Sequence, residues 1–225
     1  MVFEATPVRI SVNEGCTVSG LVQSASEARA CYVLAHGAGA GMAHPFLADT
    51  ANGLAERRIS TLRFQFPYME NGQKRPDVPA VAQATVRAAV SEASRQFPGL
   101  PLFAGGKSFG GRMTSQAQAD SPLPGVRGLV FLGFPLHVPG QPSDKRAQHL
   151  YDVQIPMLFL QGTRDEFADE TLLQQVIQRL GNRATLKLIA AADHSFHVLK
   201  RSGRSDVEIK AALFDEIAMW TGASC

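Results

Sequence analysis

Short apolar runs alternate along the chain with longer segments of helical periodicity. Runs rich in β-branched and aromatic residues are typical of strands, and they predict strands at Val8–Val12, Thr17–Gln23, Cys31–Ala35, Thr61–Phe66, Leu102–Gly105, Gly128–Gly133, Met157–Gln161 and Leu186–Ile189. Apolar residues at a spacing near 3.6 indicate amphipathic helices, and they predict helices at Pro45–Arg58, Val78–Phe97, Gly111–Ala119 and Thr171–Leu180. Val207, Ala211, Phe214 and Ala218 line one face of a predicted closing helix.

The order of these elements predicts one doubly wound, mostly parallel α/β sheet. The first two strands are joined at Asn13-Glu14-Gly15, a turn typical of an antiparallel hairpin. Repeated strand–helix units follow, and they favour parallel pairing. No repeat or linker divides the sequence, so residues 1–225 are expected to form a single domain. In such sheets, functional sites lie at the carboxyl ends of the strands.

Composition and charge narrow the class of protein. The formal net charge is +2, from 22 basic and 20 acidic residues, which gives no reason to expect nucleic acid or a membrane surface as a partner. No signal peptide and no apolar run long enough to span a bilayer is visible. Cys16, Cys31 and Cys225 lie far apart and are interpreted as free thiols. We therefore expect a cytoplasmic protein, and leave monomer or dimer open.

Ser108 is the candidate nucleophile. It lies between a predicted strand and a predicted helix, with Gly106 and Gly110 two residues away on either side. A serine exposed at a sharp strand-to-helix turn has a strained backbone and needs small residues at these positions. A phosphate-binding loop is the competing interpretation of Gly-Lys-Ser. Its pattern requires glycine where this chain has Pro101, which excludes it.

His194 and Asp165 are the candidate base and acid. His194 follows the last predicted strand, and Asp165 follows Met157–Gln161, which gives the chain order Ser, Asp, His of one class of serine hydrolase. An acid in this position holds the imidazole tautomer and stabilises the imidazolium. His197 is the alternative base, and Glu166 and Asp169 are the alternative acids.

The glycine-rich segment after Cys31–Ala35 is the candidate oxyanion hole. Glycines there allow backbone N–H groups to approach the site closely. We expect one donor to be the amide of Ala38, with Gly39 as the alternative. The second is expected to be the amide of Phe109.

Six segments carry a family resemblance: HGAGAGMAHPF at 36–46, RFQFPYMENGQKRPD at 63–77, GGKSFGGRM at 105–113, GFPLHVPGQP at 133–142, QGTRDEF at 161–167 and ADHSF at 192–196. The chain resembles small bacterial α/β-hydrolases related to a testis-expressed eukaryotic protein and to a subunit of a histone acetyltransferase complex, often described as dienelactone-hydrolase-like. The resemblance implies the α/β-hydrolase fold and Ser108, Asp165 and His194 as the triad. Dienelactone hydrolases proper have a cysteine as the nucleophile where this chain has Ser108, so their substrate is not assigned to this chain.

The surroundings of the site are less defined by the sequence. The segment Leu136–Ile155 is short where many relatives insert a lid, so no large cap domain is expected. Possible pocket residues are Gly39, Phe66, Tyr68, Met69, Lys107 and His137, of which the apolar segment 66–69 could equally belong to the core. No role is assigned to His44, Arg146 or His149.

These features predict a serine hydrolase that cleaves a small carboxylic ester or thioester through an acyl-enzyme. The expected partner is a small-molecule ester-type substrate, and the chemistry needs no metal or organic cofactor. An acyltransferase that uses the same triad is one alternative. A non-catalytic interaction domain that keeps the fold is the other, and an intact set of Ser108, Asp165 and His194 argues against it.

Overall fold

The computed structural model describes residues 3–223 and contains one eight-stranded sheet. Its strands are β1 (Ala5–Asn13), β2 (Cys16–Gln23), β3 (Ala30–Ala35), β4 (Ile59–Phe64), β5 (Leu102–Lys107), β6 (Val126–Leu132), β7 (Met157–Gly162) and β8 (Ala184–Ile189). The spatial order is β1-β2-β4-β3-β5-β6-β7-β8. The hairpin β1–β2 joins β4 in antiparallel pairing, and the six strands β3 to β8 are parallel to one another.

Helices cover both faces of the sheet. They are α1 (Pro45–Ala55), α2 (Pro67–Glu70), α3 (Pro79–Gln96), α4 (Phe109–Asp120), α5 (Glu170–Leu180) and α6 (Asp206–Ala223), with 3₁₀ helices at Lys145–Asp152, Gly181–Arg183 and Lys200–Ser202. Side chains of α3, α4 and α5 form one core on one face, and those of α1 and α6 form a second core on the other. Strand β3 contributes alternate residues to the two cores, which explains its continuous apolar sequence.

Two element boundaries differ from the prediction in ways that affect the site. The fourth strand ends at Phe64 instead of Phe66, because Pro67 begins the short helix α2. Helix α4 begins at Phe109 instead of Gly111, so Ser108 is its N-cap residue. The predicted hairpin and the mostly parallel sheet are confirmed.

No large cap domain lies over the sheet within residues 3–223. The segment between β6 and β7 holds only loops and the 3₁₀ helix Lys145–Asp152, which buries Ala147 and Leu150 in the core beside α4. Over the same range, no helix has both the length and the apolar character needed to cross a bilayer. Cys16 and Cys31 are free thiols, and Cys225 lies outside the described residues.

Candidate active site

Ser108 occupies a strained turn between β5 and α4. Its φ of 50° and ψ of −114° are values that a non-glycine residue rarely adopts. A Cβ atom on Gly106 would lie 2.2 Å from the carbonyl oxygen of Ala35, and one on Gly110 would lie 2.5 Å from that of His36. The end of β3 therefore packs directly against the turn, and only glycine fits two residues before and two residues after the serine.

Ser108, His194 and Asp165 form a continuous line of hydrogen bonds. The Nε2 atom of His194 lies 2.9 Å from Ser108 Oγ, and its Nδ1 atom lies 2.7 Å from Asp165 Oδ2. The Asp165 side chain is fully buried, and that of His194 is 19% exposed. A carboxylate facing Nδ1 holds the proton there, so Nε2 is left to accept the hydrogen bond from the serine hydroxyl.

Further hydrogen bonds fix the orientation of the Asp165 carboxylate. Its Oδ2 atom accepts from Gln161 Nε2 at 2.6 Å, and its Oδ1 atom accepts from the amide of Phe167 at 2.9 Å. Gln161 is itself buried and accepts from the amide of Phe134 at 2.8 Å. These two donors, one of them held in turn by Phe134, keep the Asp165 carboxylate facing His194.

The loop that carries His194 is held from two sides. Lys107 Nζ donates to the carbonyl oxygen of His194 at 2.6 Å, and the Phe167 ring packs on the imidazole with a centroid distance of 4.4 Å. Asp193 Oδ1 accepts from the amides of Ser195 and His197 at 2.8 and 3.0 Å. These contacts place the imidazole between the serine and the buried carboxylate.

The alternative base and acids have other partners. The exposed His197 pairs through Nδ1 with Asp206 Oδ2 at 2.8 Å, and this contact raises the pKa of its imidazole. Asp169 caps α5, since its Oδ1 atom accepts from the amide of Leu172 at 2.9 Å. Glu166 is exposed to solvent. None of the three joins the hydrogen bonds at Ser108.

The segment after β3 is held against Ser108 by a buried histidine. His36 Nε2 accepts from the amide of Phe66 at 3.0 Å, while Nδ1 lies 2.8 Å from the carbonyl oxygen of Gly37. Burial lowers the pKa of the His36 imidazole to about 4, so the ring is neutral near pH 7 and Nδ1 is its donor. The Gly37 peptide is thereby fixed beside Ser108, with Ala38 next in the chain.

The amides of Ala38 and Phe109 are available to a ligand. Phe109 is the first residue of α4, so its N–H group has no partner within the helix. Within residues 3–223, the amide of Ala38 donates no hydrogen bond to a backbone carbonyl oxygen in the loops. The N-terminus of α4 adds a positive potential at the same place. A negative charge that develops near Ser108 would therefore meet free N–H donors.

Two cavities meet at Ser108, and Ala38 and Phe167 also line both. The histidine cavity has a volume of about 520 Å³, and its other lining residues include His44, Phe46, Leu47, Lys107 and His194. The arginine cavity has a volume of about 350 Å³, and its other lining residues include Phe109, Arg112, Met113, Pro135 and Arg146. The serine hydroxyl thus lies at the junction of two separate spaces.

Of the possible pocket residues, only Lys107 lines a cavity at Ser108. Phe66 and Tyr68 are buried beneath the site, where their rings pack against Phe109 at centroid distances of 5.3 and 6.3 Å. They belong to the core because Pro67 turns the chain into α2 directly after β4.

The other three pocket candidates also lie away from both cavities. Met69 packs partly buried against the same core as Phe66 and Tyr68. His137 is buried, and its Nε2 atom accepts from the amide of Asp169 at 2.7 Å. Gly39 is exposed at the turn of its loop.

The structure gives positions to the residues that the sequence left without a role. His44 caps α1 by accepting from the amide of Phe46 at 3.2 Å, and it lines the histidine cavity. Arg146 lines the arginine cavity. His149 is paired through Nε2 with Ser115 Oγ at 2.8 Å. Phe46, Arg112 and Phe167 also line these cavities. They lie within the segments that carry the family resemblance, but the sequence assigned none of them a role.

Lys107 has an unusual environment for a cation. Its partly buried side chain lies beside the pair of Asp165 and His194, and its ammonium lies 5.5 Å from the centroid of the Phe196 ring. Burial lowers the pKa of Lys107 to about 8, and this effect outweighs the negative charges of Asp165 and Asp193, which raise the pKa.

The His, Cys, Asp and Glu side chains of residues 3–223 form no group of three or more suited to a metal ion.

The sheet order, the sharp turn at Ser108 and the chain order of Ser108, Asp165 and His194 define the α/β-hydrolase class. The chain belongs to the α/β hydrolase domain family, which it matches over residues 28–222. The predicted fold is confirmed, and residues 3–223 contain no large cap domain.

Solved structures similar to this chain share its fold at low sequence identity. A serine hydrolase without a lid from Xanthomonas campestris is 21% identical, with a TM-score of 0.74 over 96% of this chain and 95% of the other. Dienelactone hydrolase from Anabaena variabilis is 19% identical, with a TM-score of 0.78 over 98% and 97%. An esterase domain from Rhodothermus marinus is 14% identical, with a TM-score of 0.72 over 96% and 97%.

Proposed function

We propose that this protein is a serine hydrolase that cleaves a small carboxylic ester or thioester through an acyl-enzyme. The observation that carries the proposal is the line of hydrogen bonds from Asp165 through His194 to Ser108 Oγ, at 2.7 and 2.9 Å. Structural neighbours described as an esterase domain and as serine hydrolases support the same reaction class. Cavities of about 520 and 350 Å³ favour a small substrate.

In the first half of the reaction, Ser108 Oγ attacks the carbonyl carbon while His194 Nε2 takes the hydroxyl proton. Asp165 stabilises the imidazolium that results. The amides of Ala38 and Phe109 donate to the oxygen that becomes negative. When the tetrahedral intermediate breaks down, His194 gives the proton to the leaving alcohol or thiol, and the acyl group stays on Ser108.

In the second half, water takes the place of the leaving group. His194 removes a proton from the water, which attacks the acyl carbon, and the same amides hold the second oxyanion. The proton then passes to Ser108 Oγ as the acid is released. Fixed donors and a fixed carboxylate reduce the reorganisation that each step requires.

Turnover of 4-nitrophenyl acetate by matched pairs of variants tests this proposal. Ser108→Ala and His194→Gln are expected to lower kcat by about 10³- to 10⁴-fold or more, because either change removes the nucleophile or its base. Ser94→Ala, on the exposed surface of α3, and His197→Gln are expected to keep turnover near the wild-type level.

Either of two results would contradict the assignment. One is activity that survives in Ser108→Ala. The other is loss of activity in His197→Gln with retention in His194→Gln. Wild-type protein that is folded yet hydrolyses no ester or thioester would favour the non-catalytic alternative.

A further inference from the structure

The two cavities at Ser108 can be assigned to the two halves of a substrate. A leaving group has to lie within reach of His194 Nε2, which protonates it. His194 lines the histidine cavity and does not line the arginine cavity. With the carbonyl oxygen directed at the amides of Ala38 and Phe109, the acyl chain is left to extend into the arginine cavity.

The arginine cavity combines apolar walls with two cations. Phe109, Met113 and Phe167 line it close to Ser108. Arg112 follows Ser108 by one turn of α4, and its amide donates to the Ser108 carbonyl oxygen at 3.1 Å. Arg146 reaches the same cavity from the 3₁₀ helix after β6.

The Arg112 guanidinium has no partner within residues 3–223. Its Nε atom is buried without a hydrogen bond, and the side chain forms no other hydrogen bond or ion pair there. Burial and the nearby charge of Arg146 both lower the pKa of this group. A part-buried cation that faces a second cation is unfavourable unless an anion joins them.

Arg146 is only partly engaged. Its Nη1 atom donates to the carbonyl oxygen of His137 at 3.1 Å, which leaves further N–H groups free. The carboxylate in the cavity, Asp77, accepts from the amide of Tyr68 at 3.0 Å. No carboxylate oxygen of residues 3–223 lies within 4.0 Å of either guanidinium.

We propose that the arginine cavity binds a carboxylate at the far end of the acyl chain, so that the substrate is the half-ester or half-thioester of a dicarboxylic acid. This inference rests on the proposed function, because it concerns the acyl group that Ser108 receives. The apolar walls suit the methylene stem, and the two guanidinium groups supply paired N–H donors matched to a carboxylate. The leaving group in the histidine cavity needs no charge.

The test compares 4-nitrophenyl hydrogen adipate with its methyl-capped diester, in which the terminal carboxylate is neutral. The wild-type protein is expected to show a kcat/KM about tenfold or more higher for the half-ester, which is the effect of a charge-assisted hydrogen bond. Arg112→Met and Arg146→Met are each expected to lower this ratio by about tenfold. Arg127→Met, exposed at the start of β6, is the matched control and keeps the wild-type ratio.

A second substrate pair tests the assignment of the two halves. In 4-carboxyphenyl hexanoate the anion lies on the leaving group, and 4-nitrophenyl hexanoate is its comparison. The ratio of kcat/KM for these two esters is expected to be the same in the wild type, Arg112→Met and Arg146→Met. An equal loss for anions on both halves would show a general effect of charge and would overturn the acyl-side assignment.

Labelling by a neutral fluorophosphonate separates failure of this inference from failure of the proposed function. Wild-type protein that is not labelled at Ser108 would remove the proposed function itself. Labelled protein with no preference for the half-ester, or with a preference unchanged in both arginine variants, would overturn only the inference. Labelling of Arg112→Met and Arg146→Met at the wild-type rate shows that the variants are folded. Arg112→Lys keeps the charge but lacks the planar guanidinium with its paired N–H donors. It is expected to give an intermediate ratio of kcat/KM for the half-ester over the diester.

Discussion

At the scale of single residues, the chemistry of the site depends on which groups surround each side chain. Asp165 has its carboxylate fixed by Gln161 and the amide of Phe167, while the exposed Glu166 next to it has no such partners. His194 lies between Ser108 and Asp165, and His197 pairs at the surface with Asp206. Residues of the same type therefore differ in function because of their contacts.

Lys107 gives a prediction about stability and pH at this scale. Its pKa is about 8 in the folded protein against an ordinary value of 10.5, so between these values the unfolded chain binds more protons than the folded one. The free energy of unfolding of the wild type, relative to Lys107→Met, should therefore rise with pH across this window, by at most about 1.4 kcal/mol per pH unit. Below pH 8 the cost of burying the charge is present in full.

Urea denaturation of both proteins at several pH values between 7 and 10 measures this difference. Lys74→Met, at an exposed position, is the control and should show no such trend against the wild type. A stability difference between the wild type and Lys107→Met that stays constant over the whole range would show that the ammonium is not buried.

The sequence singled out candidate residues that follow strand ends, and gave no role to residues that only packing brings together. Ser108, Asp165 and His194 each follow a strand, and the structure brings these three together. The pairing of Arg112 with Arg146 depends on how the segment after β6 packs against α4, which no local pattern records. Phe66 and Tyr68 had two open interpretations, and the turn into α2 decided for the core.

At the scale of elements, the junction of β5 and α4 against the end of β3 is the critical contact. A Cβ atom on Gly110 would lie 2.5 Å from the carbonyl oxygen of His36, a backbone atom that cannot move aside. Gly110→Ala is expected to push α4 away from β3, at a cost of about 1–3 kcal/mol in the free energy of unfolding. It should also lower kcat/KM by about 100-fold, because Ser108 and the amide of Phe109 move with the helix.

Gly203→Ala is the control for this change. Gly203 has a φ of 72° and open space around it, so alanine there adds only backbone strain of about 1–2 kcal/mol. Stability measured by urea denaturation should fall in both variants, and turnover of 4-nitrophenyl acetate should fall only in Gly110→Ala. Wild-type turnover in Gly110→Ala would contradict the close approach of β3 to the helix.

The boundaries of elements were less predictable than their existence. The start of α4 was predicted two residues late, since Phe109 and Gly110 read as part of a glycine-rich turn. The short helix α2 was missed because its four residues are too few for a periodic pattern. Both errors fall where the chain makes an abrupt turn beside the site.

At the scale of the whole molecule, the topology gathers the site at one edge of the sheet. Strands β3, β5, β7 and β8 are parallel, so the segments that follow them meet at their carboxyl ends. Helices pack on both faces of the sheet that contains these strands. Without a cap domain over this edge, the described residues leave two cavities that meet at Ser108.

Mass spectrometry of the protein after reaction with a fluorophosphonate is the most direct test of Ser108 as the nucleophile. One adduct per chain is expected on Ser108, and it should be lost in both Ser108→Ala and His194→Gln, because the serine needs its base to react. Ser94→Ala should be labelled like the wild type. An adduct on another residue, or labelling that persists in Ser108→Ala, would show that Ser108 is not the nucleophile.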